Sequence, residues 1–114
     1  MCHVLIIEDE PFIAMAIQEM LEDEGATSFD FAVTQAEAVE AALSRRPGLI
    51  TSDVKLIEGT GPRAVAEIHE QLGDAPVIFI SATPAECEPC GPPGVVLAKP
   101  IRKQTLCEAF RQMV

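Results

Sequence analysis

Four apolar runs in this chain end on a residue able to handle phosphate or metal. Val4-Leu5-Ile6-Ile7 ends in Glu8-Asp9-Glu10, and Leu49-Ile50-Thr51-Ser52 ends in Asp53. Val77-Ile78-Phe79-Ile80 ends in Ser81, and Val95-Val96-Leu97-Ala98 ends in Lys99. Carboxylates brought within about 4 Å repel by roughly 4 kcal/mol per pair at an effective dielectric near 20. A hard divalent cation relieves that repulsion, and Mg²⁺ favours a pair of carboxylates, a carbonyl and waters. The metal then attracts phosphoryl oxygens, and an aspartate can itself be the nucleophile that forms an acyl phosphate. Ser81 can donate to one phosphoryl oxygen while Lys99 pairs with another. Phosphoryl transfer asks mainly for positioning and charge stabilisation, and these groups supply both.

Such a set works only if the fold brings the run ends together. Short, unalternating, β-branched runs read as strands buried on both faces, as in a parallel sheet. Pro11 suits a first helical turn, with Ile13, Ile17, Met20 and Leu21 at helical spacing and Gly25 as a stop. A weaker strand is expected at 28–32. Thr34 and Glu37 have capping-box spacing ahead of the stripe Ala38, Val39, Ala42, Leu43, which Pro47-Gly48 would end. Pro62 opens a helix carrying Val65, Ile68 and Leu72, and the last helix carries Leu106, Ala109, Phe110 and Met113. This alternation predicts an α/β fold with a parallel sheet and helices on both faces. Chemistry in such sheets sits beyond the carboxyl ends of the strands, where Glu8, Asp9, Asp53, Ser81 and Lys99 would meet. Between the fourth and fifth strands Pro84, Pro89, Pro92 and Pro93 leave room for about one helical turn.

The composition narrows the function classes. At 114 residues the chain is expected to be one domain, 1–114, with 48% apolar and 23% charged residues. Eighteen acidic residues against eight basic ones, a net charge of −10, oppose binding to nucleic acid, and Trp and Tyr are absent. No apolar run is long enough for a membrane span and the N-terminus does not read as a secretory signal, so a cytoplasmic protein is expected. Four cysteines, at 2, 87, 90 and 107, are expected as free thiols.

Over essentially its whole length the chain resembles the response-regulator receiver family of two-component systems. The matches are 4–11 for the acidic pair, 49–53 for the acceptor strand, Ile80-Ser81-Ala82 for the hydroxyl and Lys99-Pro100 for the lysine. The resemblance implies a flavodoxin-like, doubly wound, five-stranded parallel sheet in the order 2-1-3-4-5. It makes Asp53 the phosphoacceptor, and has Asp9 ligate Mg²⁺ directly and Glu8 mostly through water. It also assigns the backbone carbonyl of Lys55 to the metal, Gly61 to the family's turn glycine and a cis peptide to Lys99–Pro100. A sensor histidine kinase or phosphotransfer protein would donate in a phosphorelay, and a downstream protein would read the phosphorylated state. Slow autodephosphorylation would use the chain's own residues, without a dedicated enzyme activity.

Departures from the family pattern are specific. Ile57 stands where a proline is usual, and Val96 holds the switch position that is often aromatic. The Pro-rich replacement of the helix between the fourth and fifth strands is similar to receivers of alphaproteobacterial general-stress regulators. Partner binding is then expected not to depend on the usual fourth-helix face, and no effector domain is expected.

Other readings compete. Glu8-Asp9-Glu10 could be a solvated helix cap, Asp53 a turn residue, Lys99 a surface lysine, and Ser81 a backbone-satisfying hydroxyl. Cys87-x-x-Cys90 could hold zinc, but a structural site wants four ligands, and Cys2 and His3 begin the first strand at the opposite sheet edge. His69 reads as a surface residue. Against the phosphoacceptor stand a never-phosphorylated docking module of the same fold and a flavin electron carrier, which the acidic first loop would disfavour.

Overall fold

The computed structural model describes residues 2–54, 56, 58–81 and 94–113. The strands are β1 (His3–Ile7), β2 (Ser28–Ala32), β3 (Leu49–Asp53), β4 (Val77–Ser81) and β5 (Gly94–Ala98). The helices are α1 (Pro11–Asp23), α2 (Gln35–Ser44), α3 (Gly61–Leu72) and α4 (Lys103–Met113). The strands form one parallel sheet in the order β2-β1-β3-β4-β5, the order implied by the family resemblance. The region expected to carry a shortened helix, together with Cys87, Cys90, Lys55 and Ile57, lies outside the described residues.

Alternate strand residues face opposite ways, which divides the interior into two cores. Leu5, Ile7, Ile50, Val77 and Phe79 pack with Ala38 and Ala42 of α2 and Ala64, Val65 and Ile68 of α3. On the other face Val4, Ile6, Leu49, Ile78 and Ile80 pack with Ala14, Ile17 and Leu21 of α1 and Leu106 and Phe110 of α4. Registration is continuous: Ile7 pairs with Ser52, Asp53 with Ile80, and Ser81 with Ala98. The carboxyl ends of β1, β3, β4 and β5 therefore finish level.

The caps follow from residue chemistry. Thr34 Oγ1 accepts from Glu37 N at 3.1 Å, while Glu37 Oε1 accepts from Val33 N at 2.9 Å. That is a reciprocal cap displaced by one residue from the standard box. Thr60 caps α3 by accepting from Arg63 N at 3.2 Å, with Pro62 in the first turn.

Some local expectations need correction. α2 stops at Ser44, ahead of Pro47-Gly48, and Leu43 is 47% exposed, while Ala38 and Ala42, with Val39 partly buried beside them, meet the core. His69 is half-buried, its Nε2 lying 3.0 Å from the carbonyl oxygen of Ala75. Cys2 and His3 stand at the amino end of the inner strand β1, across the parallel sheet from the carboxyl end of β4, as expected.

Candidate functional site

Each candidate side chain is carried by a strand end or lies one or two residues past one. Glu8 follows β1 and keeps the sheet going by donating its N–H to the Ala32 carbonyl at 3.0 Å. Its side chain is turned inward and is only 4% exposed, which removes the solvated-cap reading for this residue. Asp9 is half-buried beside it, and Glu10 is exposed. Carboxylate oxygens of Glu8, Asp9 and Asp53 all lie within 4.8 Å of one another.

Asp53 is held closely. Its Oδ1 accepts from Val54 N at 2.8 Å, and its backbone carbonyl accepts from Ser52 Oγ at 2.9 Å. Gly61 at the start of α3 presses on the same strand end. A Cβ there would stand 1.9 Å from the Asp53 carbonyl oxygen and 2.2 Å from Ser52 Oγ. Among the described residues this is where a side chain is least tolerable, since one blocking atom belongs to the sheet backbone.

Lys99 reaches across from the end of β5. Its Nζ is 3.5 Å from Asp53 Oδ2 and 3.7 Å from Glu8 Oε1, and its N–H is bonded to the Ser81 carbonyl at 2.9 Å. The Lys99–Pro100 peptide is cis. Ser81 is buried at the end of β4, one residue past the partner of Asp53 and opposite Ala98, the residue before Lys99. Val96 is half-buried on β5, pairs with Phe79 and packs against the core shared with α2 and α3.

The electrostatics follow from two carboxylates, Glu8 and Asp53, facing one ammonium. Burial pushes the Glu8 carboxyl up to about 7, and the Asp53 charge adds to this, outweighing the hydrogen bond from Glu10 N and the attraction of Lys99. Burial works against the charged form of Lys99, but Glu8 and Asp53 more than offset it and hold the ammonium above its usual value. Glu8 Oε1 is buried without a hydrogen bond among the described residues. A buried carboxylate oxygen in that position, next to two more carboxylates, has the all-oxygen donor chemistry that suits a hard cation such as Mg²⁺.

Two polar networks lay outside the sequence reading. His3 Nδ1 lies 2.8 Å from Ser28 Oγ and His3 Nε2 lies 2.9 Å from Asp30 Oδ2, and Arg45 donates to the same serine at 3.0 Å. Ser28 and Asp30 are two apart on β2 and so share a face, which is a usable signal once β1 and β2 are known to pair. The second network joins Gln35 to the loop after Asp53.

Known proteins have similar chains and the same fold. The phyllosphere-induced regulator PhyR of Methylorubrum extorquens is 44% identical over 84 residues, covering 72% of this chain and 31% of that protein. The PhyR receiver domain of Erythrobacter litoralis superposes with a TM-score of 0.87 at 34% identity, covering 98% of this chain and 88% of that one. PhyR of Brucella abortus superposes with a TM-score of 0.85 at 31% identity, over 98% of this chain and 47% of that one. This chain thus spans about a third of the curated Methylorubrum regulator. The model of the response regulator receiver domain covers residues 4–111, and the chain, with the level strand ends and acidic cluster just described, belongs to that family.

Proposed function

We propose that this chain is a phosphoacceptor switch in which Asp53 receives a phosphoryl group from a sensor histidine kinase or histidine phosphotransfer protein. The observation that carries the reading is the cluster of Glu8, Asp9 and Asp53 carboxylates within 4.8 Å of one another, with the Lys99 ammonium 3.5 Å from Asp53. Glu8, Asp9, Asp53 and the Lys55 carbonyl would hold Mg²⁺, which when bound supplies charge neutralisation for the phosphoryl oxygens. An Asp53 carboxylate oxygen attacks phosphorus as the bond from phosphorus to the donor nitrogen breaks. The leaving histidine takes a proton, and an acyl phosphate remains on Asp53. Lys99 pairs with one phosphoryl oxygen and Ser81 donates to another. Gly61 keeps α3 against Asp53, Pro100 orients Lys99, and Val96 fills the switch position with a side chain too short for the aromatic coupling.

In this reading residues 1–114 act as one cytoplasmic receiver unit, and output passes to a downstream protein rather than to nucleic acid or a membrane. It is a switch and not a dedicated enzyme. Several curated relatives are protein-glutamate methylesterases, but in the Halobacterium salinarum protein the match covers 24% of that length. A Bartonella quintana relative is an anti-anti-sigma factor, and this chain covers 48% of it, which makes a protein partner in transcriptional control the class to test.

The test is incubation with a small phosphodonor, with and without Mg²⁺, read by intact mass beside Asp53→Ala. A metal-dependent phosphoryl adduct that disappears in the variant is the expected result. A folded protein that gains no adduct from the small donor or from a histidine phosphotransfer protein would instead favour the docking-module reading.

A further inference from the structure

The loop leaving Asp53 is tied at its far end to a residue of another element. Val54 O accepts from Gly61 N at 3.0 Å, which closes the mouth of the loop. Farther out, Thr34 bridges to Glu58, and Gln35 N donates to the Glu58 carbonyl at 3.0 Å. The Gln35 side chain continues the contact. Its Oε1 accepts from Thr60 N at 3.2 Å, and its Nε2 donates to Glu67 Oε1 on α3 at 2.7 Å.

Gly59 is shaped to this side chain. It has φ +82°, and a Cβ there would stand 2.3 Å from Gln35 Oε1 and 2.6 Å from Gln35 Cβ. The first residue of α2 therefore grips Glu58, Gly59 and Thr60 together. Thr60 caps α3, and Gly61 follows it, packed so closely on the Asp53 carbonyl that no Cβ would fit, with its N–H bonded to the Val54 carbonyl. A shift at Thr60 is thus passed to Asp53 through one residue of rigid backbone, since packed interiors transmit displacement rather than absorb it.

We propose that Gln35 is a positioning residue for Mg²⁺ binding and phosphoryl transfer, setting the loop between Asp53 and α3 through the Glu58 carbonyl, Thr60 N–H and Glu67 carboxylate. The proposal rests on the phosphoacceptor reading above. Gln35 touches none of Glu8, Asp9, Asp53 or Lys99 among the described contacts, so its effect is exerted wholly through the loop. Groups that orient metal-binding residues without contacting the metal typically change affinity by about ten- to a hundredfold. Gln35 is separated from the cluster by the loop, which places its effect at the lower end of that range.

The experiment compares wild type with Gln35→Met, which keeps the length and packing but loses both side-chain hydrogen bonds. A double variant, Gln35→Glu with Glu67→Gln, exchanges the amide and the carboxylate and so preserves one donor and one acceptor across the pair. Mg²⁺ affinity of the unphosphorylated protein is measured by titration calorimetry, and phosphorylation by a small donor is followed by intact mass. Amide exchange at Thr60 reports the tether directly.

Gln35→Met is expected to weaken Mg²⁺ binding by about tenfold, slow phosphorylation at subsaturating Mg²⁺ in proportion, and speed exchange at Thr60. The double variant is expected to recover most of the Mg²⁺ affinity. Gln35→Met with wild-type Mg²⁺ affinity and rate would overturn the proposal, as would equal losses in Gln35→Met and the double variant. Wild-type protein that takes up no phosphoryl group at all would overturn the phosphoacceptor reading instead, while an intact Mg²⁺ difference would still uphold the tether.

Discussion

At the scale of the residue, Glu8 has the strongest environment in the molecule. It is buried at the end of β1, faces Asp53, and has its carboxyl pushed up to about 7 from an ordinary value of 4.5. The folded chain therefore binds more protons than the unfolded chain across that interval. The stability this confers is fully present below about pH 4.5 and is lost as pH rises through about 7. Lys99, held above its usual value near 10.5, titrates outside this window. Thermal melts without divalent metal should show stability falling between about pH 4.5 and 7, by up to about 3 kcal/mol. Glu8→Gln should flatten that slope. Because Mg²⁺ and the proton compete for the same carboxylates, the stabilisation by Mg²⁺ should grow from pH 5.5 to pH 8, to be checked by melting at about those two values. A slope that persists in Glu8→Gln would assign the effect to other groups.

At the scale of the element, the contact between β3 and α3 controls how Asp53 is presented. Gly61 is needed for space, with a sheet carbonyl where its Cβ would fall. Gly61→Ala should cost roughly 1–3 kcal/mol, because backbone in the middle of a sheet cannot yield cheaply. Gly25, at φ +104° with nothing within 4 Å, offers the comparison. Gly25→Ala should cost about 1 kcal/mol through backbone conformation alone. Urea unfolding of both variants checks the difference, and Gly61→Ala alone should also impair Mg²⁺ binding. Equal effects of the two substitutions on Mg²⁺ affinity would show that α3 does not bear on Asp53.

At the scale of the whole molecule, net charge dominates. A chain with a net charge of −10 repels itself in the compact state, and screening should relieve that repulsion. Raising NaCl from about 0.05 M to about 0.5 M should lift Tm by roughly 2–4 °C. Mg²⁺ at about 1 mM adds too little ionic strength to screen, so a comparable rise there would report the carboxylate cluster. Asp9→Asn should abolish the Mg²⁺ increment and leave the NaCl increment in place. Loss of both together would mean that Mg²⁺ acts only as general salt.

What could be determined from residues alone is local chemistry and periodicity. Short β-branched runs ending in Glu8-Asp9, Asp53, Ser81 and Lys99 marked the strands and their polar ends, because side-chain period and abrupt polarity are properties of neighbours in sequence. The Thr34 cap was legible for the same reason. Tertiary structure decided what depends on partners distant in sequence. It turned Glu8 inward and left Leu43 exposed. It joined Lys99 to both Glu8 and Asp53, and hydrogen-bonded His3 to Ser28 and Asp30 and Gln35 to Thr60 and Glu67. Those contacts join residues far apart in sequence, 25 positions for His3 and Ser28 and 46 for Lys99 and Asp53. Strand register and helix placement set such distances, and no pattern of neighbouring residues encodes them.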